Sequence, residues 1–526
     1  MRGFRLAKNE SILIVVYMAE PLLPPLSERG SGILLHPTSL PGNQGVGVLG
    51  SEAFRWLDFL QEAGVRTWQV LPLGPTGYGD SPYASLSSHA GNPHMIDLLP
   101  LQEFGLLDGG DMEGLSGLDP YRVDFHAVAH RKWPILRLAW KQFRTRERAY
   151  LPNYGIFEEF LRAHDAVWLD AYASFVALKI HFQGKPWYQW EEAFRSWERA
   201  REEDLLGELA EEILAQKFYQ YLFFGQWELV RGYARESGVR ILGDIPIFPA
   251  LDSADVWASP ECFLLDANGQ PEFVAGVPPD YFSPHGQLWG NPLFDWEAFA
   301  STGYAWWMDR FASAFRVADD VRLDHFRGFY NYWCIPANAT DARWGEWREG
   351  PGLAFFEAVR DEFPEAGLIA EDLGDLSDEV REFRKDTGLP GMAILQFAFD
   401  GEPDNLYLPH NLDSNTVLYT GTHDNNTTRG WYETASRESR DQVRRYFRVS
   451  GEEIAWDLIR AGMASVAKLA IFPLQDLLSL DENARFNIPG VVGEGNWRWR
   501  CPLDALTSLE GPTADYWREM SWLYGR

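Results

Sequence analysis

Eight short apolar runs are spread along this chain, and helical spacing fills most of the gaps between them. The runs are Gly32–His36, Thr67–Leu73, Val239–Asp244, Val321–Asp324, Gly367–Gly374, Met392–Phe399, Asn415–Asp424 and Ala470–Leu474. Between the first two, Ser51–Ala63 carries Phe54, Leu57 and Leu60 at helical spacing, and Gly64 stops it. Similar stretches lie at 296–318 and 352–363, from Ser377 as cap to Gly388 as end, and within 439–469. Strand, helix, strand is the unit of a parallel sheet. No G-x-G-x-x-G opens a helix, so the pattern predicts a (β/α)8 TIM barrel rather than a dinucleotide-binding sheet.

Residues 100–235 break the rhythm, with long helices expected at 157–182 and 204–236. This predicts a large, mainly helical insertion between strands two and three of an α/β barrel spanning 31–526. Further insertions surround the expected active site. One covers 249–295 and includes a predicted hairpin turning at Asn268-Gly269. It also holds Pro278–Pro292, too rich in Pro and Gly for regular structure and suited to covering a ligand. Residues 1–30 form an N-terminal extension, read as disordered or as the product of a misassigned start. Arg2, Arg5 and Lys8 precede the short apolar run Ile12–Ala19. A short signal peptide and a true start at Met18 both stay open.

The formal charge of −29 speaks against nucleic acid and anionic lipid as partners. No run outside the first thirty residues approaches the length of a membrane-spanning helix. Cys262, Cys334 and Cys501 are odd in number, widely spaced and without a C-x-x-C pattern, which favours a reducing, cytoplasmic setting. The 23 Trp and 21 Tyr are first of all core residues, and in excess they also suit stacking on the apolar faces of sugars.

Chemistry enters through three carboxylates. Asp324, Glu371 and Asp424 each follow an apolar run closely, beside Arg322, Asp372 and His423 respectively. A strand places residues i and i+2 on one face, so Arg322 and Asp324 point the same way. In a barrel all three acids converge at the catalytic end. Three carboxylates without a metal-ligand motif point to glycosyl transfer: one attacks the anomeric carbon, one kept protonated serves the leaving oxygen, and one steadies the charged ring. Neither H-E-x-x-H nor an H-x-H after strand one occurs, although His423-Asp424 and Asp324-His325 stay open as ligand pairs.

From residue 32 to its end the chain resembles glycoside hydrolase family 77, the amylomaltase or 4-α-glucanotransferase family of the α-amylase clan. The resemblance rests on Gly32-Ile33-Leu34-Leu35-His36-Pro37-Thr38-Ser39-Leu40-Pro41-Gly42, Gly79-Asp80-Ser81-Pro82-Tyr83 and Gly243-Asp244-Ile245-Pro246-Ile247. It continues in Arg322-Leu323-Asp324-His325-Phe326-Arg327-Gly328, Ala370-Glu371-Asp372-Leu373-Gly374 and Gly421-Thr422-His423-Asp424-Asn425. It implies Asp324 as nucleophile, Glu371 as general acid/base and Asp424 as transition-state stabiliser, with Arg322 keeping Asp324 ionised. It implies Tyr83, Asp244, Arg322, His325, His423 and Asn487 as substrate-binding residues, and places Tyr281, Phe282 and Trp289 in a loop over the active site. Tyr78 resembles part of a remote glucan site. Asn426 and Ile488 depart from the family pattern, where Asp and Thr are common. The implied activity is retaining transfer of α-1,4-glucan segments to the 4-hydroxyl of acceptor glucans, with cyclisation as a variant. The alternatives are an α-1,4-glucan hydrolase and a non-catalytic glucan-binding protein. No cofactor and no metal are implied, and the oligomeric state is not legible.

Overall fold

A computed structural model describes residues 22, 23, 26, 28–279, 283–374, 376–493 and 495–526. The predicted residues Tyr281 and Phe282 lie outside the described residues. The eight apolar runs become parallel strands: β1 (Gly30–Leu34), β2 (Thr67–Gln69), β3 (Arg240–Ile245), β4 (Asp320–Leu323), β5 (Gly367–Ala370), β6 (Gly391–Ile394), β7 (Thr416–Tyr419) and β8 (Leu469–Pro473). Hydrogen-bonded neighbours run β5-β4-β3-β2-β1-β8-β7-β6. The seam between β5 and β6 is closed by Ala370 N–H donating to Pro390 O at 2.9 Å. Beside it the Asp372 carboxylate accepts Met392 N–H at 2.7 Å and faces Arg384 Nε at 2.9 Å. The (β/α)8 expectation holds.

Helices cover the barrel because each presents an apolar stripe to it. Ser51–Ala63 ends where expected, with Gly64 left-handed at φ 71°. Its Trp56 meets Trp68 of β2 edge-on, and Trp227 of the helix Ala210–Glu236 packs on Trp68 at 6.3 Å. All three are fully buried, so these tryptophans belong to the core. Between β2 and β3 stand the helices Phe125–Phe143, Phe157–His164, Asp170–His181 and Ala210–Glu236.

Three local expectations change. The stretch 296–318 is two helices, Trp296–Ser301 and Ala305–Val317, because Gly303 and Tyr304 take left-handed φ values of 63° and 61°. The stretch 278–292 is not wholly irregular: Gln287–Pro292 is a strand. It pairs with Phe273–Val277 in an antiparallel sheet that continues through Asn331–Pro336 to Glu346–Glu349. A backbone ladder to a distant partner outweighs the weak strand propensity of Gly and Pro. Upstream of residue 31, Leu23 is buried and donates its N–H to Thr387 O at 2.9 Å, so packed chain begins before the expected boundary.

Candidate active site

The chain leaves β4 at Asp324, β5 at Glu371 and β7 at Thr420, so Asp324, Glu371 and Asp424 stand at one end of the barrel. Parallel strands fix this, since all exits of a parallel barrel lie on the same side. Asp324 N–H donates to Ile245 O and Glu371 N–H to Leu323 O, each at 3.0 Å, which sets both acids in register with their neighbouring strands.

Arg322 links the floor of the site. Its buried guanidinium Nη1 lies 3.0 Å from Asp324 Oδ1 and 2.7 Å from Asp244 Oδ2. The Tyr83 hydroxyl donates to the same Asp244 oxygen at 2.7 Å. The Asp244 side chain is enclosed between Arg322 and Tyr83. Burial pushes the Asp244 carboxyl up to about 7, against the pull of Arg322. For Arg322, burial works against the charge, but Asp244 and Asp324 outweigh it and hold the guanidinium well above its ordinary value.

Arg322 pulls Asp324 toward its anion, as expected, but other groups act on the same carboxyl. Burial raises the Asp324 carboxyl; Arg322 draws it down, while Glu371 and Asp424 add to the rise, and the net direction is upward. Burial is the largest influence, and the Arg322 charge, which also faces Asp244, does not offset it. Glu371 is held by the backbone, accepting His325 N–H at 2.8 Å on Oε2 and Leu373 N–H at 3.0 Å on Oε1. Burial raises its pKa too, opposed by Arg322 and by these two bonds. Asp424 is more open. Its Oδ1 accepts Asn487 Nδ2–H at 2.6 Å and lies 3.4 Å from His423 Nε2.

The floor is therefore a chain of ionic and hydrogen-bonded contacts, Tyr83–Asp244–Arg322–Asp324, with Glu371 held beside it by backbone N–H groups and Asp424 partly exposed. The same residues lie inside a family match: residues 35–506 fit the glycoside hydrolase family 77 model, described as 4-alpha-glucanotransferase. The chain belongs to the 4-alpha-glucanotransferase family. The chain is 48% identical over 491 residues to the 4-alpha-glucanotransferase of Thermus thermophilus, covering 92% of this chain and 97% of that protein. It is 44% identical to the 4-alpha-glucanotransferase of Streptococcus pneumoniae serotype 4, covering 92% and 95%. The amylomaltase of Streptococcus agalactiae, solved in complex with acarbose, superposes with a TM-score of 0.90 at 37% identity over 95% of this chain and 100% of that one.

The walls of this 4-alpha-glucanotransferase site are aromatic. His423 stacks on Tyr83 at 5.0 Å, and Trp497 tilts against both rings at 5.9 Å. Burial lowers the pKa of His423. His325 sits in the left-handed region at φ 51°, and its ring meets Trp289 edge-on at 4.9 Å. Burial also lowers His325, to about 4, so a neutral ring faces Trp289. Tyr78 stands apart: its ring is 79% exposed on the turn Tyr78–Asp80. Ile488 is exposed at the rim, and the Asn426 main-chain oxygen accepts Gln396 Nε2–H at 2.9 Å. Among the described residues no group of three His, Cys, Asp or Glu is placed to hold a metal ion.

Two residues of this region carried no sequence signal as site residues. Arg485 donates to Asp424 O and to Asn487 O, each at 2.7 Å, and so sets the spacing of that pair. Trp497 follows the Gly495-Asn496 step, a local oddity in the tail, but its tilted contact with Tyr83 and His423 depends wholly on tertiary packing.

Proposed function

We propose that the 4-α-glucanotransferase activity of this chain runs by double displacement on its own carboxylates. Asp324 attacks the anomeric carbon of an α-1,4-glucan and forms a covalent glycosyl-enzyme. Glu371 gives its proton to the departing 4-oxygen. In the second step Glu371 takes the proton of an acceptor 4-hydroxyl, which displaces Asp324 and restores the α-linkage. Asp424 carries the charge that builds on the ring between the steps. Tyr83, His423 and Asn487 surround the sugar at the cleaved bond, and Trp289 with His325 offers an apolar face for a ring. Tyr78 marks a separate contact for a long glucan chain.

The observation that carries this reading is the asymmetry of contacts around the two part-buried acids. Arg322 binds Asp324 side chain to side chain, which favours the anion a nucleophile needs. Glu371 has its two oxygens on backbone N–H groups and, among the described residues, no cation in direct contact, which leaves it freer to carry the proton. The substrates are maltooligosaccharides and longer α-1,4-glucans. The three free thiols support a reducing, cytoplasmic location. The test is incubation with maltotriose and sizing of the products. Glucose plus a ladder of longer oligosaccharides is expected; shorter products alone would make the chain a hydrolase, and unchanged maltotriose would make it a binding protein.

A further inference from the structure

Trp289 stands where the strand Gln287–Pro292 leaves its ladder. Val274 pairs with Pro292 and Gly276 with Leu288, so Trp289, Gly290 and Asn291 together face Ala275 alone. This is a bulge in which three residues oppose one, and its middle residue, Gly290, is left-handed at φ 82°. A bulge re-aims side chains, and here it turns Trp289 toward His325, next to Asp324. The ladder that fixes the rest of the strand does not fix this segment.

A side chain supplies what the ladder does not. Asn291 Nδ2–H donates to Phe248 O at 3.2 Å and to Pro249 O at 2.9 Å. Those carbonyls belong to the chain leaving β3, a few residues beyond Asp244. The two preceding carbonyls are taken as well: Arg310 donates to Pro246 O at 2.5 Å and to Ile247 O at 2.9 Å. Arg310 is buried, with its guanidinium 4.7 Å from the centre of the Trp307 ring. Four consecutive carbonyls, 246 to 249, thus form a shelf held from below by Arg310, and Asn291 ties the bulge to that shelf.

We infer that Asn291 is a positioning residue for acceptor transfer: its amide latches the bulge to the β3 exit and so holds Trp289 against His325, whose backbone N–H binds Glu371, the acid/base that must meet the acceptor hydroxyl. The inference rests on the transferase reading above. A glycosyl-enzyme partitions between water and a sugar hydroxyl, and a held acceptor wins because attack geometry is set in advance. Moving the ring that holds the acceptor weakens that advantage and leaves the first step alone.

The test compares wild type with N291A and with N291D, which keeps the shape but has no amide donor. With α-maltosyl fluoride, release of fluoride in a single turnover is expected to be unchanged in both variants. With glucose as acceptor, KM is expected to rise roughly ten- to a hundredfold, with more of the intermediate lost to water. In a W289A background N291A is expected to add nothing, because the amide acts through that ring. Equal loss of fluoride release, an unchanged acceptor KM, or an effect of the same size in the W289A background would each overturn the inference. Failure of the transferase reading would show separately, as wild type that makes no longer oligosaccharides from maltotriose.

Discussion

Arg322 serves two carboxylates at once, and its removal has two separable consequences. The charge favours ionised Asp324, so R322M lets the Asp324 pKa rise further. Activity that needs the anion is then lost at a higher pH as the solution is acidified, and the acid limb of kcat/KM moves up. Breaking a buried ion pair also leaves Asp244 uncompensated, which costs about 3–5 kcal/mol and is read by urea unfolding. The raised pKa of Glu371 has the opposite reach: the basic limb of wild type extends above the pH at which an ordinary glutamic acid would have lost its proton. Stereochemistry separates the two acids. With α-maltosyl fluoride and azide, E371A is expected to yield the α-azide, because azide displaces Asp324 from the opposite face. D324A is expected to yield the β-azide by direct attack. An α-azide from D324A would defeat the nucleophile assignment.

Among the elements, the join between β5 and β6 is the weak point of the barrel. Backbone pairing there is sparse, and Asp372 stands in for it by accepting Met392 N–H and facing Arg384. The space beside it is so close that a Cβ on Gly391 would come within 2.5 Å of the Asp372 carboxylate. The neighbour of Glu371 in sequence is thus a structural acid. D372A is expected to lower unfolding stability by about 1–3 kcal/mol, since it leaves Met392 N–H without its acceptor and takes the carboxylate from the part-buried Arg384, which keeps only its bond to Leu389 O. The kcat of the molecules that remain folded is expected to stay near wild type. A stable D372A with a collapsed kcat would mean that Asp372 acts in the chemistry.

For the molecule as a whole, closure and charge matter most. The two ends of the described chain meet on one loop: Arg29 and Arg526 each donate to Ala467 O at 3.0 Å, and Arg526 also donates to Gly30 O at 2.7 Å. The segment ending at Arg526 is therefore pinned beside β1 and β8. A formal charge of −29 works against this compact state through self-repulsion, which salt screens. The melting temperature is expected to rise between 10 mM and 200 mM sodium chloride, measured calorimetrically. A fall would mean that the ion pairs of the surface outweigh the net repulsion.

Local chemistry decided much of this protein before any contact between distant residues. Apolar periodicity, helix stops such as Gly64 and Gly388, and acids placed just past strand exits all act over a few residues, so the barrel and its three carboxylates could be read directly. The shape of the site depended on partners far apart in the chain. The sequence placed Asp244 at the site, and only the fold shows that Tyr83 and Arg322 both close on its carboxylate. Gln287–Pro292 has a loop's composition and becomes a strand, because Phe273–Val277 offers it a ladder. Arg485 reaches Asp424 across sixty-one positions, and Asn291 reaches Pro249 across forty-two. A hydrogen bond to a backbone carbonyl places no demand on the residue type that accepts it, so such contacts leave no pattern in a sequence and are decided only when the chain is folded.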